Sequence, residues 1–425
     1  MRYENSMSEQ SVKVTVIGGS AVGTPEFVEA IKRHSHAPGE RQIEIVLYAR
    51  NAGRLDAVTR VAKNMAQGCD WLHVSGTTDL AQALDGAGYV INQMRIGGLA
   101  ARAFDETFPI RFGIPGEETI GPGGFANAMR TVPEAVRIAK QIERYAPGAM
   151  LLSFTNPASV IQYAVTRTTR VNVIGLCDGP VTMTTNAADA LGMDKSALKV
   201  DYVGMHHFGF ITRVVHADTD MTAQMLDALT SAHVAGIDLG WVRSLQALPS
   251  AYFRYFLQPE EALAKQKAQR ESRAEQLMQI EADLLAEYET AQGRPQGLSA
   301  RGAKWYDAII APVLMALIEQ QSGSFIMNVK NGGALGWLPE DAIIETPCAV
   351  TAGEVRPLFA DTRNKEIRAR VDLNCAYEQL MVESFLEGSY AKALRALTMN
   401  PLVPSLTRAR QMLDTLWPDA APKNL

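Results

Sequence analysis

The stretch VKVTVIGGSAVGTPEFVEAIKR, residues 12–33, decides the fold. Its alternating β-branched residues predict a strand over 12–17, and Thr24 as N-cap with Pro25 behind it predicts the start of a helix. A strand, a glycine-rich turn and a helix in this order form the context that a dinucleotide-binding site requires. The spacing G-G-x-x-x-G differs from G-x-G-x-x-G, so a turn without a ligand is the alternative. We predict that the turn binds a pyrophosphate through Gly18, Gly19, Ser20, Ala21, Val22 and Gly23.

The second predicted strand, IEIVLYAR at 43–50, bears on which dinucleotide is bound. An NAD site usually ends this strand with an acid that binds the ribose 2′-hydroxyl. Here Ala49 takes that place and Arg50 follows it. Arg50 is therefore predicted to contact the cofactor, and an arginine without a competing carboxylate favours NADP over NAD at this position.

Further strands alternate with amphipathic helices along the first half of the chain. This alternation predicts a parallel, doubly wound α/β sheet of the Rossmann type. Ligands bind at the carboxyl ends of such strands. The sequence therefore predicts one crevice lined by 92–95, Asn156 and Cys177-Asp178. The predicted strands are 87–94, 149–158 and 171–177, and the predicted helices are 53–67, 131–145 and 157–169.

A cysteine and a histidine pair lie near this predicted crevice. Cys177 ends a strand, and His206-His207 interrupt the strand-like segment VDYVGMHHFGFITRV. A structural metal site normally takes four protein ligands, so Cys177 and His207 suit an open catalytic site that leaves positions for water and substrate. Histidines satisfied inside the core are the alternative.

Composition excludes several classes of protein. The net charge of −5 provides no basic surface for nucleic acid, and no run of about 18 apolar residues predicts a membrane span. The polar start lacks the apolar core of a secretory signal, so residues 1–11 are expected to be a disordered lead. Four scattered cysteines without a CxxC pair favour a reducing cytoplasm.

Nine motifs give the chain a resemblance to the family 4 glycosidases, the NAD- and Mn-dependent glycoside hydrolases. They follow the family's order over nearly the whole chain. The motifs are VIGGSAVGTPEFVEAI, INQMRIGGLAARAFDETFPIRFGIPGEETIGPGG, SFTNPA, GLCDGP, GMHHF, LPSAYFRYF, RGAKWY, NVKNGGALGWLPEDAIIETPC and NPLVPS.

The resemblance implies an oxidative route to glycoside hydrolysis. The cofactor oxidises the C3 hydroxyl of the sugar, and the resulting ketone acidifies the proton at C2. A base removes that proton and the C1 substituent leaves. Water then adds at C1, and the cofactor reduces C3 again. Cys177 and His207 resemble the family's ligands for a divalent metal, with Mn²⁺ expected. Tyr252 resembles the base for C2, and Asn156 resembles a residue that contacts substrate and cofactor. Asp178 resembles a general acid for α-linked leaving groups, with a helix-capping turn residue as the alternative.

The substrate expectation rests on departures from the family pattern. His206 replaces the family's asparagine, and Lys330 stands where proline or arginine is common. With Arg95 and Arg254, these residues predict a pocket for a pyranoside whose C6 carries phosphate, sulfonate or carboxylate. For each of the three basic residues the alternative is a solvated surface cation or a partner for a local carboxylate.

We expect a Rossmann domain over 12–180 and a mixed α/β catalytic and oligomerisation domain over 181–425, similar to the C-terminal domain of lactate and malate dehydrogenases. A homodimer or homotetramer is expected, and the charged stretch 258–296 is expected to be a solvated helical excursion. Two other functions stay open: a malate/lactate-type or sugar dehydrogenase with net redox change, and a sugar or nucleotide sensor without turnover.

Overall fold

The computed structural model describes residues 11–36 and 41–417. The strands are β1 (Ser11–Ile17), β2 (Gln42–Tyr48), β3 (Leu72–Thr77), β4 (Ala87–Asn92), β5 (Met150–Ser153), β6 (Asn172–Gly175), β7 (Leu198–Met205), β8 (Phe208–His216), β9 (Thr219–Asp220), β10 (Leu248–Pro249), β11 (Gly323–Lys330), β12 (Ile343–Thr351) and β13 (Glu354–Pro357).

The helices of the first half are α1 (Thr24–His34), α2 (Ala52–Ala66), α3 (Leu80–Leu84), α4 (Gly98–Thr107), α5 (Gly121–Tyr145), α6 (Ala158–Thr168) and α7 (Gly179–Leu191). Those of the second half are α8 (Thr222–Ala228), α9 (Leu239–Leu245), α10 (Phe253–Leu257), α11 (Pro259–Ala268), α12 (Arg273–Tyr288), α13 (Leu298–Arg301), α14 (Ala311–Ile318), α15 (Lys365–Glu387), α16 (Tyr390–Met399) and α17 (Leu406–Leu416). Among the described helices, none is long and apolar enough to cross a membrane.

The first six strands form a parallel sheet in the order β3-β2-β1-β4-β5-β6. This is the dinucleotide-binding order, and its switch point lies between β1 and β4. Each crossover is helical, because parallel neighbours need a long connection that packs back on the sheet. The predicted Rossmann-type fold is confirmed.

The second half continues the same sheet with antiparallel strands. β11 joins β6 through the pair Asn328 and Gly175, and β12 joins β7 through Glu345 and Gly204. One hydrophobic core contains both Val14 of β1 and residues of the second half. The predicted boundary at 180/181 falls in the first turn of α7, and the division into two domains stays a prediction.

Several element boundaries differ from the sequence prediction. β1 begins at Ser11, inside the predicted lead, whose other residues lie outside the described part of the chain. The N-cap of α1 is Gly23, and Thr24 is the first residue of the helix. The sequence analysis missed β3 and the first turns of α5, which starts at Gly121 instead of residue 131.

The charged stretch 258–296 is not a solvated excursion. It forms α11 and α12, and α12 buries Ala274, Leu277, Leu284 and Tyr288. The Tyr288 hydroxyl donates to the backbone carbonyl of Val22 in the glycine-rich turn. The apolar stripe packs α12 over the nucleotide-binding half, and Glu281 of the same helix pairs with Arg54 at 2.7 Å.

Candidate active site

A cleft of about 740 Å³ opens at the carboxyl ends of β1, β4, β5 and β6. The glycine-rich turn and the end of β2 line one end of it, and Cys177, His206, His207 and Tyr252 line the other. The predicted crevice therefore exists, and it joins the predicted cofactor residues to the predicted catalytic residues. Helix α12 contributes Arg273, Leu277 and Glu281 to its wall.

The glycine-rich turn is tied to the end of β2. The backbone N–H groups of Gly18 and Gly19 donate to the Tyr48 carbonyl at 3.1 and 2.9 Å. A Cβ at position 19 would lie 2.8 Å from the Leu47 Cβ, so only glycine permits this approach. Of the six predicted turn residues, Gly18, Ser20 and Ala21 line the cleft, whereas Gly19, Val22 and Gly23 shape the turn behind it.

Three metal-ligating side chains cluster at the other end of the cleft. Their ligand atoms, from Cys177, His206 and His207, lie within 4.8 Å of one another, and all three residues are buried. Cys177 lies just beyond β6, and the two histidines form the turn between β7 and β8. His207 has φ of 60°, an uncommon conformation for a residue with a Cβ and one that the hairpin imposes on it.

Hydrogen bonds select the tautomer of His207. The Thr119 hydroxyl donates to the Glu117 carboxylate, so its oxygen is an acceptor for the His207 Nδ1–H at 2.7 Å. With the proton on Nδ1, the Nε2 lone pair is available for a metal. The Glu117 carboxylate also accepts the backbone N–H groups of Thr119 and Ile120, at 2.5 and 3.0 Å, which hold it in place.

His206 has the opposite tautomer. Its Nδ1 accepts the Ala158 backbone N–H at 3.3 Å, and burial lowers its pKa to about 3, so the ring is neutral with its proton on Nε2. A protonated ring nitrogen cannot bind a metal. The hydrogen bonds therefore favour Cys177 and His207 as ligands and leave His206 as a hydrogen-bond donor in the cleft.

The Cys177 thiol needs a cation to ionise. Burial raises its pKa well above the ordinary value, and the charges of Glu345 and Asp178 raise it further. The Gly179 backbone N–H, which donates to Sγ at 3.3 Å, acts in the opposite direction. A bound divalent cation deprotonates a coordinating thiol, so this buried thiol and imidazole pair fits a metal.

Tyr252 packs directly on His207. The two rings are stacked with centroids 3.8 Å apart and an interplanar angle of 10°. Burial and then the charge of Glu117 raise the tyrosine pKa well above 10. The phenol lines the cleft. Because its pKa is raised, a cation beside it would be required to lower that pKa into the range of a working base.

Asp178 and Asn156 line the same cleft. Asp178 occupies the N-cap position of α7, but its side chain makes no capping hydrogen bond, and burial raises its pKa. The Asp178 carboxyl therefore does not cap the helix, which was the alternative role predicted for it. The Asn156 side chain helps to hold the pKa of Glu118 below its usual range, after the larger effects of Arg95 and Arg102. The Asn156 backbone carbonyl accepts from the Asn127 side chain at 3.2 Å, and a cis peptide bond joins Asn156 to Pro157.

Arg95 lines the cleft and also pairs with a carboxylate of the protein. Its guanidinium pairs with the buried Glu118, which also binds Arg102 at 3.1 Å. Burial raises the pKa of Glu118, but the two guanidiniums outweigh burial and hold it below the usual range.

Arg301 also lines the cleft, and the sequence analysis missed it. Burial and the positive charges of Arg95 and Arg102 lower its pKa, and its buried Nε has no hydrogen-bond partner among the described residues. Its methylene chain lies 3.8 Å from the position of a Cβ on Gly23. The motif RGAKWY contained this residue, but no local pattern showed that it faces the cleft.

The structure does not bring Lys330 and Arg254 to the cleft. Lys330 ends β11 with an exposed side chain. Arg254 donates to the Tyr255 hydroxyl at 2.9 Å and lines an adjoining cavity of about 730 Å³. Neither residue is among those that line the cleft, and the expectation that they bind the substrate stays a prediction.

Both halves of the sequence match one family. Residues 13–193 match the family 4 glycosyl hydrolase model, and residues 202–403 match the family 4 glycosyl hydrolase C-terminal domain. The chain belongs to family 4 of the glycosyl hydrolases. The resemblance drawn from the nine motifs is confirmed.

Relatives of this family 4 enzyme align over their full length. A probable 6-phospho-β-glucosidase of Bacillus subtilis is 31% identical, with 96% of each chain covered. The 6-phospho-β-glucosidase of Thermotoga maritima, solved with manganese, NAD⁺ and glucose-6-phosphate, is 28% identical with a TM-score of 0.87, covering 95% of this chain and 97% of that one. A 6-phospho-α-glucosidase from gut microorganisms, solved with NAD and glucose-6-phosphate, is 25% identical with a TM-score of 0.85, covering 96% and 99%.

A lactate dehydrogenase shares the fold of this family 4 enzyme, at 13% identity and a TM-score of 0.52. It covers 89% of this chain and 99% of its own. The expected similarity of the second half to dehydrogenases is therefore confirmed at the level of fold.

Proposed function

We propose that this family 4 enzyme hydrolyses α-glycosides of a 6-phosphorylated sugar, using a nicotinamide dinucleotide and a divalent cation. One observation carries the proposal: a single cleft joins a Rossmann turn to Cys177, His207 and Tyr252. A dinucleotide in the turn would extend toward these three side chains, which could then act on the sugar carbons beside the nicotinamide.

Cys177 and His207 would hold the cation, with Mn²⁺ expected. The dinucleotide would supply reversible oxidation at C3, and the cation would stabilise negative charge on the neighbouring sugar oxygens. The chain's own groups do the rest. The Tyr252 phenolate would take the C2 proton, because its ring lies against the ligand His207 and therefore beside any sugar oxygen that reaches the cation.

His206 and Asn156 would position the sugar. The His206 Nε2–H is a donor facing the cleft, and the Asn156 side chain is held by Glu118. Fixed donors of this kind orient hydroxyl groups before the reaction and lose little entropy when substrate binds.

Arg301 and Arg95 would bind the 6-phosphate. Arg301 and Arg95 both line the cleft, and the buried Nε of Arg301 has no hydrogen-bond partner among the described residues, so this guanidinium can still donate to an anion. Glucose-6-phosphate is bound to the solved relatives, which favours phosphate over sulfonate or carboxylate. Lys330 and Arg254 have no part in this proposal.

Asp178 supports the α linkage. Its raised pKa keeps a proton on the carboxyl at higher pH than usual, and a general acid needs that proton to give to the leaving oxygen. The relatives include enzymes for both linkages, so this part of the proposal depends on Asp178 alone.

The test uses the purified chain with NAD, Mn²⁺ and nitrophenyl glucosides, both anomers, with and without a 6-phosphate. We expect the α-6-phosphate to react fastest and the neutral sugars to have a kcat/KM that is tenfold to a hundredfold lower, since charge-assisted hydrogen bonds contribute about 1.5–3 kcal/mol. Arg301→Ala should remove this discrimination, and Arg254→Ala in the adjoining cavity is the matched control. Equal rates for phosphorylated and neutral sugars would contradict the proposal, and accumulation of reduced nicotinamide would favour the dehydrogenase instead.

The expected reducing cytoplasm stays a prediction. The expected homodimer or homotetramer stays a prediction.

A further inference from the structure

The end of the cleft at β2 is where a dinucleotide-binding fold distinguishes NAD from NADP. The residue that follows the second strand usually carries a carboxylate for the ribose 2′-hydroxyl in NAD sites, whereas an arginine accommodates the 2′-phosphate in NADP sites. In this chain β2 ends at Tyr48, and Ala49, Arg50 and Asn51 follow and line the cleft.

No carboxylate among the residues just after β2 is available to the ribose. Ala49 is buried, and the Asn51 side chain is used as the N-cap of α2, where it accepts the Arg54 backbone N–H at 3.0 Å. A carboxylate here would repel a 2′-phosphate, so its absence from this position removes the usual barrier to NADP.

The two carboxylates that line this end of the cleft from other elements are neutralised. Glu134 of α5 binds Arg137 through two hydrogen bonds of 2.8 Å. Glu281 of α12 binds Arg54 at 2.7 Å. Each is therefore paired with an arginine, which reduces its repulsion of a 2′-phosphate.

Arg50 is the free cation at this position. Its side chain is exposed, and within the described ranges no hydrogen bond or ion pair involves its guanidinium, although its charge lowers the pKa of Glu134 after the larger effect of Arg137. Arg54 is held instead, because its Nε donates to the Ser20 carbonyl at 2.8 Å while Glu281 binds its other nitrogen. A fixed arginine and a free one thus flank the same corner of the cleft.

We propose that this corner is a 2′-phosphate subsite, so that the protein binds NADP(H) in preference to NAD(H), with Arg50 as the discriminating residue. The subsite rests on the proposed function, because it assumes that a dinucleotide lies in the glycine-rich turn. Arg50 closes on the phosphate through its planar guanidinium. Arg54 is held by Glu281 and contributes no net charge to the subsite.

The test measures binding, not hydrolysis. Titration calorimetry of the purified full chain gives the Kd of NADP⁺ and of NAD⁺ for wild type, Arg50→Ala and the exposed control Arg356→Ala. We expect a lower Kd for NADP⁺ in wild type, and a rise of about tenfold in the ratio of the NADP⁺ Kd to the NAD⁺ Kd in Arg50→Ala only. Adenosine 2′,5′-bisphosphate against AMP should show the same change in ratio.

Tighter binding of NAD⁺ to wild type, or a ratio that Arg50→Ala leaves unchanged, would overturn this subsite while leaving the proposed hydrolysis intact. If neither dinucleotide binds, the proposed function fails and the subsite fails with it. If hydrolysis is absent but NADP⁺ is preferred through Arg50, the subsite stands and the proposed reaction does not.

Discussion

Replacing Thr119 with valine should weaken metal binding without touching either ligand. The Thr119 hydroxyl links the Glu117 carboxylate to the His207 Nδ1–H, and valine has nearly the same shape without that oxygen. Glu117 keeps its two backbone donors, so the loss falls on the imidazole. The buried Nδ1–H is left without its acceptor, which costs about 1–3 kcal/mol, and the ring is free to adopt the other tautomer, whose Nε2 cannot bind a metal.

A loss of this size corresponds to a tenfold to hundredfold weaker Kd for Mn²⁺, the range that partners behind a ligand usually contribute. Electron paramagnetic resonance of free Mn²⁺ during titration of the chain measures it directly. Thr119→Ser keeps the hydroxyl and should bind as wild type does. Thr15→Val is the matched control, because Thr15 is fully buried and donates to the Ala83 carbonyl far from the cleft. An unchanged Kd in Thr119→Val would refute the tautomer argument.

Three further predictions concern the base, the buried acids and the turn. Tyr252→Phe should lower kcat by a factor of about 10²–10⁴ while Mn²⁺ binding stays within twofold, and a kcat within tenfold of wild type would exclude the phenol as base. Burial raises the pKa of Glu378 to about 7. The protonated carboxyl therefore contributes to the unfolding free energy in full below the unfolded pKa, and this contribution is lost as pH rises through 7. Glu378→Gln should therefore gain about 3 kcal/mol in unfolding free energy relative to wild type between pH 4.5 and 8, measured by urea denaturation, and a pH-independent difference would contradict this. Gly19→Ala should destabilise the fold by about 1–3 kcal/mol through its contact with Leu47. Gly293→Ala is the control, because no atom lies near its added Cβ, and it should leave the melting temperature unchanged. Equal shifts in the melting temperature would show that packing at the turn is not the cause.

The Rossmann half could be predicted because local sequence patterns indicate its strands and helices. Alternating β-branched residues before Gly18 and the apolar stripe after Gly23 depend only on neighbouring residues. The start of α5 could not be predicted in this way, because its glycines are explained by close contacts with the backbone of the segment before the helix. A Cβ on Gly123 would lie 2.1 Å from the Glu117 carbonyl oxygen and 2.4 Å from that of Asp105. These glycines permit close packing inside a helix, and by propensity alone they resemble a loop.

The sequence by itself determined the fold class, the family, and the positions of the cysteine, histidine and tyrosine that meet in the cleft. Cys177 could be placed because parallel strands bring their carboxyl ends to one edge of the sheet. His207 and Tyr252 lie beside antiparallel strands, and the resemblance to the family supplied their place. Tertiary structure decided which of the two adjacent histidines can bind a metal, since the tautomers depend on Thr119 and on the Ala158 backbone. It also decided which cations face the cleft, because the direction of a long side chain depends on the partners that folding brings to it. Arg301 lies over the Trp305 ring, whereas Arg254 donates to the Tyr255 hydroxyl.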